Sequence, residues 1–180
     1  MNKLFCLAAA TMLTLPAFSA SFRADLSGSN KVPLSPVENK DAIVLKPMHW
    51  VEEPVRQFTL TGTAPQECSG DWNEYTFSFK PETDGLIMIS FIGDRGNILI
   101  TNIRLDGKLI DNGKLTVADR KNPKVPQGFY ARGAGFEFLP TGGIDGGGAA
   151  KTGPEDHLIY QFRAIRDKVY TFTVSARLAQ

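Results

Sequence analysis

The chain has few of the side chains that usually carry catalysis or bind metals. Its 180 residues include two cysteines, Cys6 and Cys68, and two histidines, His49 and His157. No H-x-H or H-E-x-x-H spacing occurs, so the sequence gives no support for a zinc site. No G-x-S-x-G motif occurs either, so a serine nucleophile is not indicated. These absences favour a protein that binds its target without chemistry.

The chain also lacks an excess of either charge. It carries 20 lysines and arginines against 19 aspartates and glutamates, a formal net charge of +1. A nearly neutral chain has no general electrostatic attraction to nucleic acid or to an anionic membrane. The glycine-rich segment 141–152 does not match a phosphate-binding loop, because Ala150 stands where a glycine should precede Lys151. We therefore expect no nucleic-acid partner.

The N-terminus has the pattern of a secretory signal peptide. A basic start at Lys3 precedes the apolar run 4–15, and small residues precede a cleavage site after Ser19. The run is shorter than the roughly 20 residues of a membrane span, which makes a retained anchor the weaker alternative. We expect residues 1–19 to be removed and residues 20–180 to form one domain. The protein is then secreted, either periplasmic or extracellular, without a membrane span.

Alternating apolar residues predict β-strands along most of the chain. The pattern is clearest in residues 73–80, where Tyr75, Phe77 and Phe79 fall on one face. Residues 86–92 are almost wholly apolar, which predicts a central strand covered on both faces. Further strands are predicted at residues 58–61, 98–105, 108–110, 133–139, 158–164 and 169–178.

Turn residues separate these strands and set the predicted architecture. They predict hairpins at residues 80–85, at Asp106-Gly107 and at residues 165–168. The proline-containing segment 32–53 is predicted to be loop, with a strand at 42–45. Short strands at regular spacing with such turns predict an all-β protein, a β-sandwich.

Two groups of strands resemble a known module. Trp72 leads into the aromatic strand DWNEYTFSF, the apolar strand GLIMISF follows, and residues 98–105 read ILITNIRL. This succession resembles the second half of a CenC-like carbohydrate-binding module, and the later stretches YQF (160–162) and KVYTFTVSAR (168–177) resemble its first half. Either the domain is circularly permuted or fragments of two modules are joined in one sandwich.

The resemblance implies a jelly-roll fold of the galactose-binding-like type, with non-catalytic glycan binding. In that family a tryptophan at the position of Trp72 packs in the core. The family often carries a structural calcium ion near its last strand, where this chain has Thr101-Asn102 in place of two aspartates. Because calcium prefers several carboxylate and carbonyl oxygens, no metal or cofactor is predicted, and a calcium ion stays an open alternative.

Aromatic residues outside the strong strand patterns are the candidates for stacking on sugar rings. Sugars present C–H surfaces to aromatic faces and hydroxyls to polar side chains. Trp50 and Tyr130 are the predicted stacking groups, and His49, Gln57 and Arg132 are the predicted polar contacts. For both aromatics the alternative is a packing role over the end of the sandwich.

The sequence thus predicts a secreted, non-catalytic carbohydrate-binding module that recognises a polysaccharide or glycoconjugate. One alternative is a structural or adhesive β-sandwich that binds another protein at the cell surface. The other is a small jelly-roll lyase or hydrolase that depends on His49 or His157. Acidic residues are numerous, but several, such as Asp84 and Asp106, already have a turn role beside glycine. No enzyme is therefore predicted.

Overall fold

The chain folds into a sandwich of two antiparallel β-sheets. A computed structural model of the chain describes residues 19–29, 32–37, 40, 42–49 and 60–179. Short 3₁₀ helices occur at Ser27–Ser29 and Ile144–Gly146. The described strands are β1 (Ala20–Asp25), β2 (Leu34–Pro36), β3 (Leu45–His49), β4 (Leu60–Thr63), β5 (Gln66–Cys68), β6 (Asn73–Pro81), β7 (Gly85–Gly93), β8 (Ile98–Leu105), β9 (Lys108–Leu109), β10 (Tyr130–Arg132), β11 (Glu137–Leu139), β12 (Ala149–Thr152), β13 (His157–Ala164) and β14 (Tyr170–Leu178).

Each sheet contains seven of these strands. Sheet A has the order β10-β13-β7-β1-β4-β3, and β5 pairs with the first half of β1. Sheet B has the order β11-β12-β8-β14-β6-β2, and β9 pairs with β8. All ladders between these strands are antiparallel. The prediction of an all-β sandwich is confirmed.

The core between the sheets is rich in aromatic rings. Phe172 of β14 is wholly buried, and its ring centroid lies 5.7 Å from that of Phe77 in the same sheet and 6.4 Å from that of Phe91 in the other. Phe22 of β1 stacks on Tyr75 of β6 at 5.0 Å. Such pairs contribute about 0.5–1.5 kcal/mol each beyond the burial of their area, so these rings tie the two sheets together.

Two of the three predicted hairpins are wrong. Strands β6 and β7 belong to different sheets, and so do β13 and β14, so their connections cross from one sheet to the other. Each of these strands has one strongly apolar face, and crossing lets the two faces oppose each other in the core. Phe162 of β13 and Tyr170 of β14, for example, meet edge to face at 5.1 Å. The hairpin at Asp106-Gly107 is confirmed, with Leu105 paired to Lys108.

Sequence patterns located the long strands better than the short ones. The segment 32–53 contains β2 and β3 rather than loop, and the predicted strand 133–139 shrinks to β11. The latter change arises because Gly133 and Gly135 form a tight turn around the Asp156 side chain. Strand β7 is central, as predicted, but its Leu86 side chain is 51% exposed, so the expected cover on both faces is incomplete.

Candidate functional site

The candidate site lies on the face of sheet A that is turned away from sheet B, called here the outer face of sheet A. In β13 the residues Leu158, Tyr160 and Phe162 pack in the core. Successive side chains of a strand point to opposite sides. The outer face therefore receives the alternate residues of this strand, which are His157, Ile159, Gln161 and Arg163.

Strand β10 places an aromatic ring on this outer face at the edge of the sheet. Tyr130 pairs directly with Ile159, and Arg132 pairs directly with His157. Side chains opposite each other in a ladder share a face and have Cβ atoms about 5 Å apart. Tyr130 is 59% exposed, whereas the other aromatic residues whose burial the structure describes are half-buried or buried. An accessible ring and a guanidinium thus stand side by side.

The neighbour of Tyr130 explains why its ring points outward. Phe129 is buried and its ring lies 5.5 Å from that of Tyr160 in the core. Ala131 also packs against the core. The alternation of the strand then leaves Tyr130 and Arg132 on the opposite side. The packing alternative for Tyr130, a ring tucked over the sandwich end, does not describe this geometry.

Side-chain hydrogen bonds hold the loop that leads into β10. The Asn112 amide donates to the carbonyl oxygens of Val117 and Gln127 at 2.8 and 3.0 Å. Its Oδ1 accepts the backbone N–H groups of Thr116 and Val117, both at 3.0 Å. Asn112 has φ +54°, a left-handed conformation that asparagine adopts more readily than most residues. This one side chain closes the loop and fixes where β10 begins.

A turn around the Asp156 side chain fixes where β10 ends. The backbone N–H of Gly135 donates to Asp156 Oδ1 at 2.8 Å. Gly133 has φ +97°, and a Cβ atom there would collide with the Asp156 side chain and the Glu155 carbonyl. Because Asp156 directly precedes His157, this turn holds β10 in register against β13.

The outer face also carries a group of charged residues on β1. Arg23 Nε donates to Asp94 Oδ1 at 2.8 Å, and Arg23 Nη1 lies 3.6 Å from Asp25 Oδ2. Arg23 pairs in register with Ile92, and Ile92 pairs with His157. The ion pairs therefore lie two strands away from the His157–Arg132 pair, on the same face.

His157 lies between these charged groups. Burial lowers its pKa from the usual 6.5, the Arg132 charge lowers the pKa further, and the Asp25 carboxylate opposes the shift. The imidazole is therefore neutral at neutral pH, with one nitrogen that donates and one that accepts. A neutral imidazole of this kind suits contacts with hydroxyl groups.

The structure brings together two of the five residues predicted to contact a ligand. Tyr130 and Arg132 lie on one strand and one face. His49 ends β3 at the opposite edge of the same sheet, five strand steps or about 24 Å away at the usual strand spacing. Trp50 and Gln57 lie outside the described residues. Trp72, expected in the core, is half-buried, and the Arg177 guanidinium carbon lies 5.1 Å from the centre of its ring.

Sequence reasoning did not propose other residues of this face as ligand contacts, among them Arg23, His157, Ile159, Gln161 and Arg163. The sequence indicates His157 only as a catalytic group of the lyase or hydrolase alternative. The alternation in residues 158–164 already held the signal, because placing Tyr160 and Phe162 inward places His157 and Ile159 outward. The sequence does not show which strand lies beside β13, so the pairing of Ile159 with Tyr130 could not be predicted from it.

Two small clefts adjoin each other at the start of β1. One has a volume of about 170 Å³ and is lined by Ser19, Ala20, Ser21, Pro65, Glu67 and Arg95. The other has a volume of about 310 Å³ and continues past Arg95 toward Asn97 and Leu178. Pockets that enclose small molecules usually measure about 300–1,000 Å³. The first cleft is smaller than that range and the second lies at its lower end. The outer face of sheet A is exposed at Tyr130, Arg132 and Arg163, whereas Ile92 on the same face is buried.

Comparison with protein-family models, with curated proteins and with solved structures finds no match for this chain. Within the described residues, no three histidine, cysteine, aspartate or glutamate side chains come close enough together to hold a metal ion. In the same part of the chain, no helix has the length and apolar character needed to cross a membrane.

Proposed function

We propose that this protein is a secreted, non-catalytic carbohydrate-binding module of the galactose-binding-like jelly-roll type, and that the outer face of sheet A binds its glycan. The observation that carries the proposal is the position of Tyr130. Its ring is 59% exposed on a sheet face and has Arg132 and the neutral His157 beside it. An exposed ring with a guanidinium and an imidazole beside it offers both a stacking surface and polar groups, the combination that sugar binding uses.

The polar groups around the ring match the chemistry of sugar hydroxyls. A hydroxyl both donates and accepts, and the neighbouring side chains supply both functions. Arg132 only donates, whereas His157 and Gln161 do both. The apolar side chain of Ile159 stands opposite Tyr130 and extends the surface for C–H contacts. Sugar units of a chain lie along β13 in this proposal.

A glycan array tests the proposal. The array is probed with residues 20–180 of the wild type, with Tyr130→Ala and with Tyr130→Phe. We expect selective binding by the wild type, loss in the alanine variant and retention in the phenylalanine variant, because stacking needs the ring and not its hydroxyl. Equal binding by all three contradicts the assignment of Tyr130. A Trp50→Ala variant in the same experiment tests the second predicted stacking residue.

One observation favours the alternative of an adhesive protein. Leu86, Ile165 and Val169 are 51%, 63% and 45% exposed. They lie in or next to two turns, the one before β7 and the one before β14, which meet at one end of the sandwich. The turns are joined there by the Asp167 N–H, which donates to the Pro81 carbonyl at 2.8 Å. Exposed apolar residues grouped in this way occur at protein interfaces.

Binding of labelled protein to the producing cells separates the two functions. Loss of binding in Ile165→Ser and Val169→Ser, with full binding in Tyr130→Ala, supports the adhesive function. The opposite pattern supports the carbohydrate-binding module. Both apolar sites are exposed, so these substitutions are expected to leave the fold intact.

A further inference from the structure

The charges on the outer face of sheet A are unevenly distributed. Strands β10, β13 and β7 lie next to each other at one side of the sheet. The positions of these three strands that point to the outer face include two arginines and no carboxylate. These positions are Tyr130, Arg132, His157, Ile159, Gln161, Arg163, Leu86, Met88, Ser90 and Ile92. This part of the face is positive although the chain as a whole is nearly neutral.

Three acids close to this surface are already engaged. Asp94 and Asp25 both lie against Arg23, at 2.8 and 3.6 Å, on the far side of β7. Asp156 accepts the Gly135 N–H. Among the described residues, no carboxylate oxygen lies within 4.0 Å of the Arg132 guanidinium. Arg132 therefore presents an unneutralised charge directly beside the exposed ring.

The neutral imidazole opposite Arg132 supports the same view. His157 carries no charge at neutral pH, so Arg132 is the cation of this pair. A guanidinium with free N–H groups binds carboxylate and similar oxyanions with two parallel hydrogen bonds. A neutral sugar would leave that capacity of the site unused.

We infer that the outer face of sheet A selects an acidic glycan, whose sugar rings carry a carboxylate or a sulfate group. Arg132 binds this anionic group, and Tyr130 stacks on the sugar ring. The inference rests on the proposed function. Arg163 lies six residues beyond His157 on the same face, about 20 Å along β13. A chain with repeated anionic groups can form charge-assisted hydrogen bonds with both arginines, and these bonds are stronger than those that the hydroxyls of a neutral chain would form.

Matched pairs of polymers test the inference, because each pair differs only in charge. The probes are polygalacturonate and its fully methyl-esterified form, and dextran sulfate and dextran. We expect at least one anionic member to bind about tenfold more tightly than its neutral partner, the change that 1.4 kcal/mol produces. The pair that shows the preference identifies carboxylate or sulfate as the group recognised. Equal affinity within both pairs overturns the inference.

Variants link this preference to Arg132. Arg132→Gln is expected to reduce the tenfold preference to less than threefold, and Arg132→Lys to restore part of it by returning the charge. Arg104→Gln is the matched control, because it removes the same charge from sheet B, where Arg104 lies 3.8 Å from Glu74. An equal loss in Arg104→Gln shows a general charge effect and overturns the role of Arg132. Equally tight binding of single-stranded DNA also overturns the inference, because it shows attraction to any polyanion.

The outcomes separate this inference from the proposed function. If neutral glycans on an array bind through Tyr130 while both polymer pairs show no charge preference, the proposed function stands and the acidic selectivity is wrong. If no glycan binds, charged or neutral, both are wrong. Raising the salt concentration from about 0.1 M to about 1 M shortens the screening length from about 10 Å to about 3 Å. The preference is expected to shrink accordingly.

Discussion

Arg132 and His157 lie directly opposite each other in the ladder between β10 and β13, at the edge of sheet A. The guanidinium charge adds to burial in lowering the pKa of the imidazole. The pair therefore presents one permanent charge and one neutral ring to the same surface. Tyr130, two residues before Arg132, adds an exposed aromatic ring to this pair.

The first prediction concerns stability against pH. The folded state disfavours protonated His157, so the unfolded chain takes up the proton first as the pH falls below 6.5. The contribution of His157 to the free energy of unfolding is complete above 6.5 and declines below it. Urea unfolding of the wild type and His157→Gln from pH 8 to pH 5 measures this. The difference between them should change below about pH 6.5; a constant difference contradicts the burial of His157.

The second prediction concerns Cys68, which is 9% exposed. Burial raises the pKa of its thiol, so little reactive thiolate is present at neutral pH. Its Sγ lies 3.4 Å from the Tyr75 hydroxyl. We expect a thiol reagent to modify Cys68 slowly in the folded protein and quickly in denaturant. Rapid labelling without denaturant, or a disulfide-linked dimer on a non-reducing gel, contradicts this location.

The third prediction concerns the core. Phe172 is wholly buried and its ring contacts aromatic rings from both sheets. Phe172→Ala should lower the free energy of unfolding by about 3–5 kcal/mol. Leu86→Ala is the control, because its side chain is 51% exposed and a surface change costs about 0.5 kcal/mol or less. Chemical denaturation measures both, and similar losses would mean that the two sheets do not pack as described.

The fold shows which of its features can be predicted from the sequence. Long strands with one strong apolar face, such as β6 and β14, were predicted from alternation alone. The sheet to which each strand belongs was not predicted, because alternation shows which face of a strand is buried and does not show which strand lies beside it. The short edge strands β2 and β3 are defined by their pairing with β6 and β4. Their own residues carry too weak a pattern to be recognised.

The candidate site was predictable in part for the same reason. Tyr130 and Arg132 are close in the sequence, so sequence reasoning could propose them together. Arg23 and His157 are distant in the sequence and approach only because β1, β7 and β13 are neighbours. The arrangement of three strands by long-range pairing is a property of the whole fold.

The fourth prediction links the glycine turn after β10 to the site. Gly133→Ala should lower both the stability and the glycan affinity, because a Cβ atom collides with Asp156 and φ is +97°. Gly107→Ala is the control, with φ +78° but open space around the new atom. We expect both variants to lose about 1 kcal/mol of stability from backbone strain. Only Gly133→Ala should also lose affinity, and full affinity there contradicts the role of the turn.

The most direct test of the account compares the two outer faces of the sandwich in one binding experiment. Tyr130→Ala/Arg132→Gln changes the outer face of sheet A, and Glu74→Gln/Arg104→Gln changes exposed residues on sheet B. Both proteins are first shown to unfold at the wild-type denaturant concentration and are then titrated with polygalacturonate, dextran sulfate and an array of neutral glycans. The account predicts that the sheet A variant loses binding and the sheet B variant keeps it. Loss in the sheet B variant alone, or unchanged binding in both, would contradict the claim that sheet A holds the site.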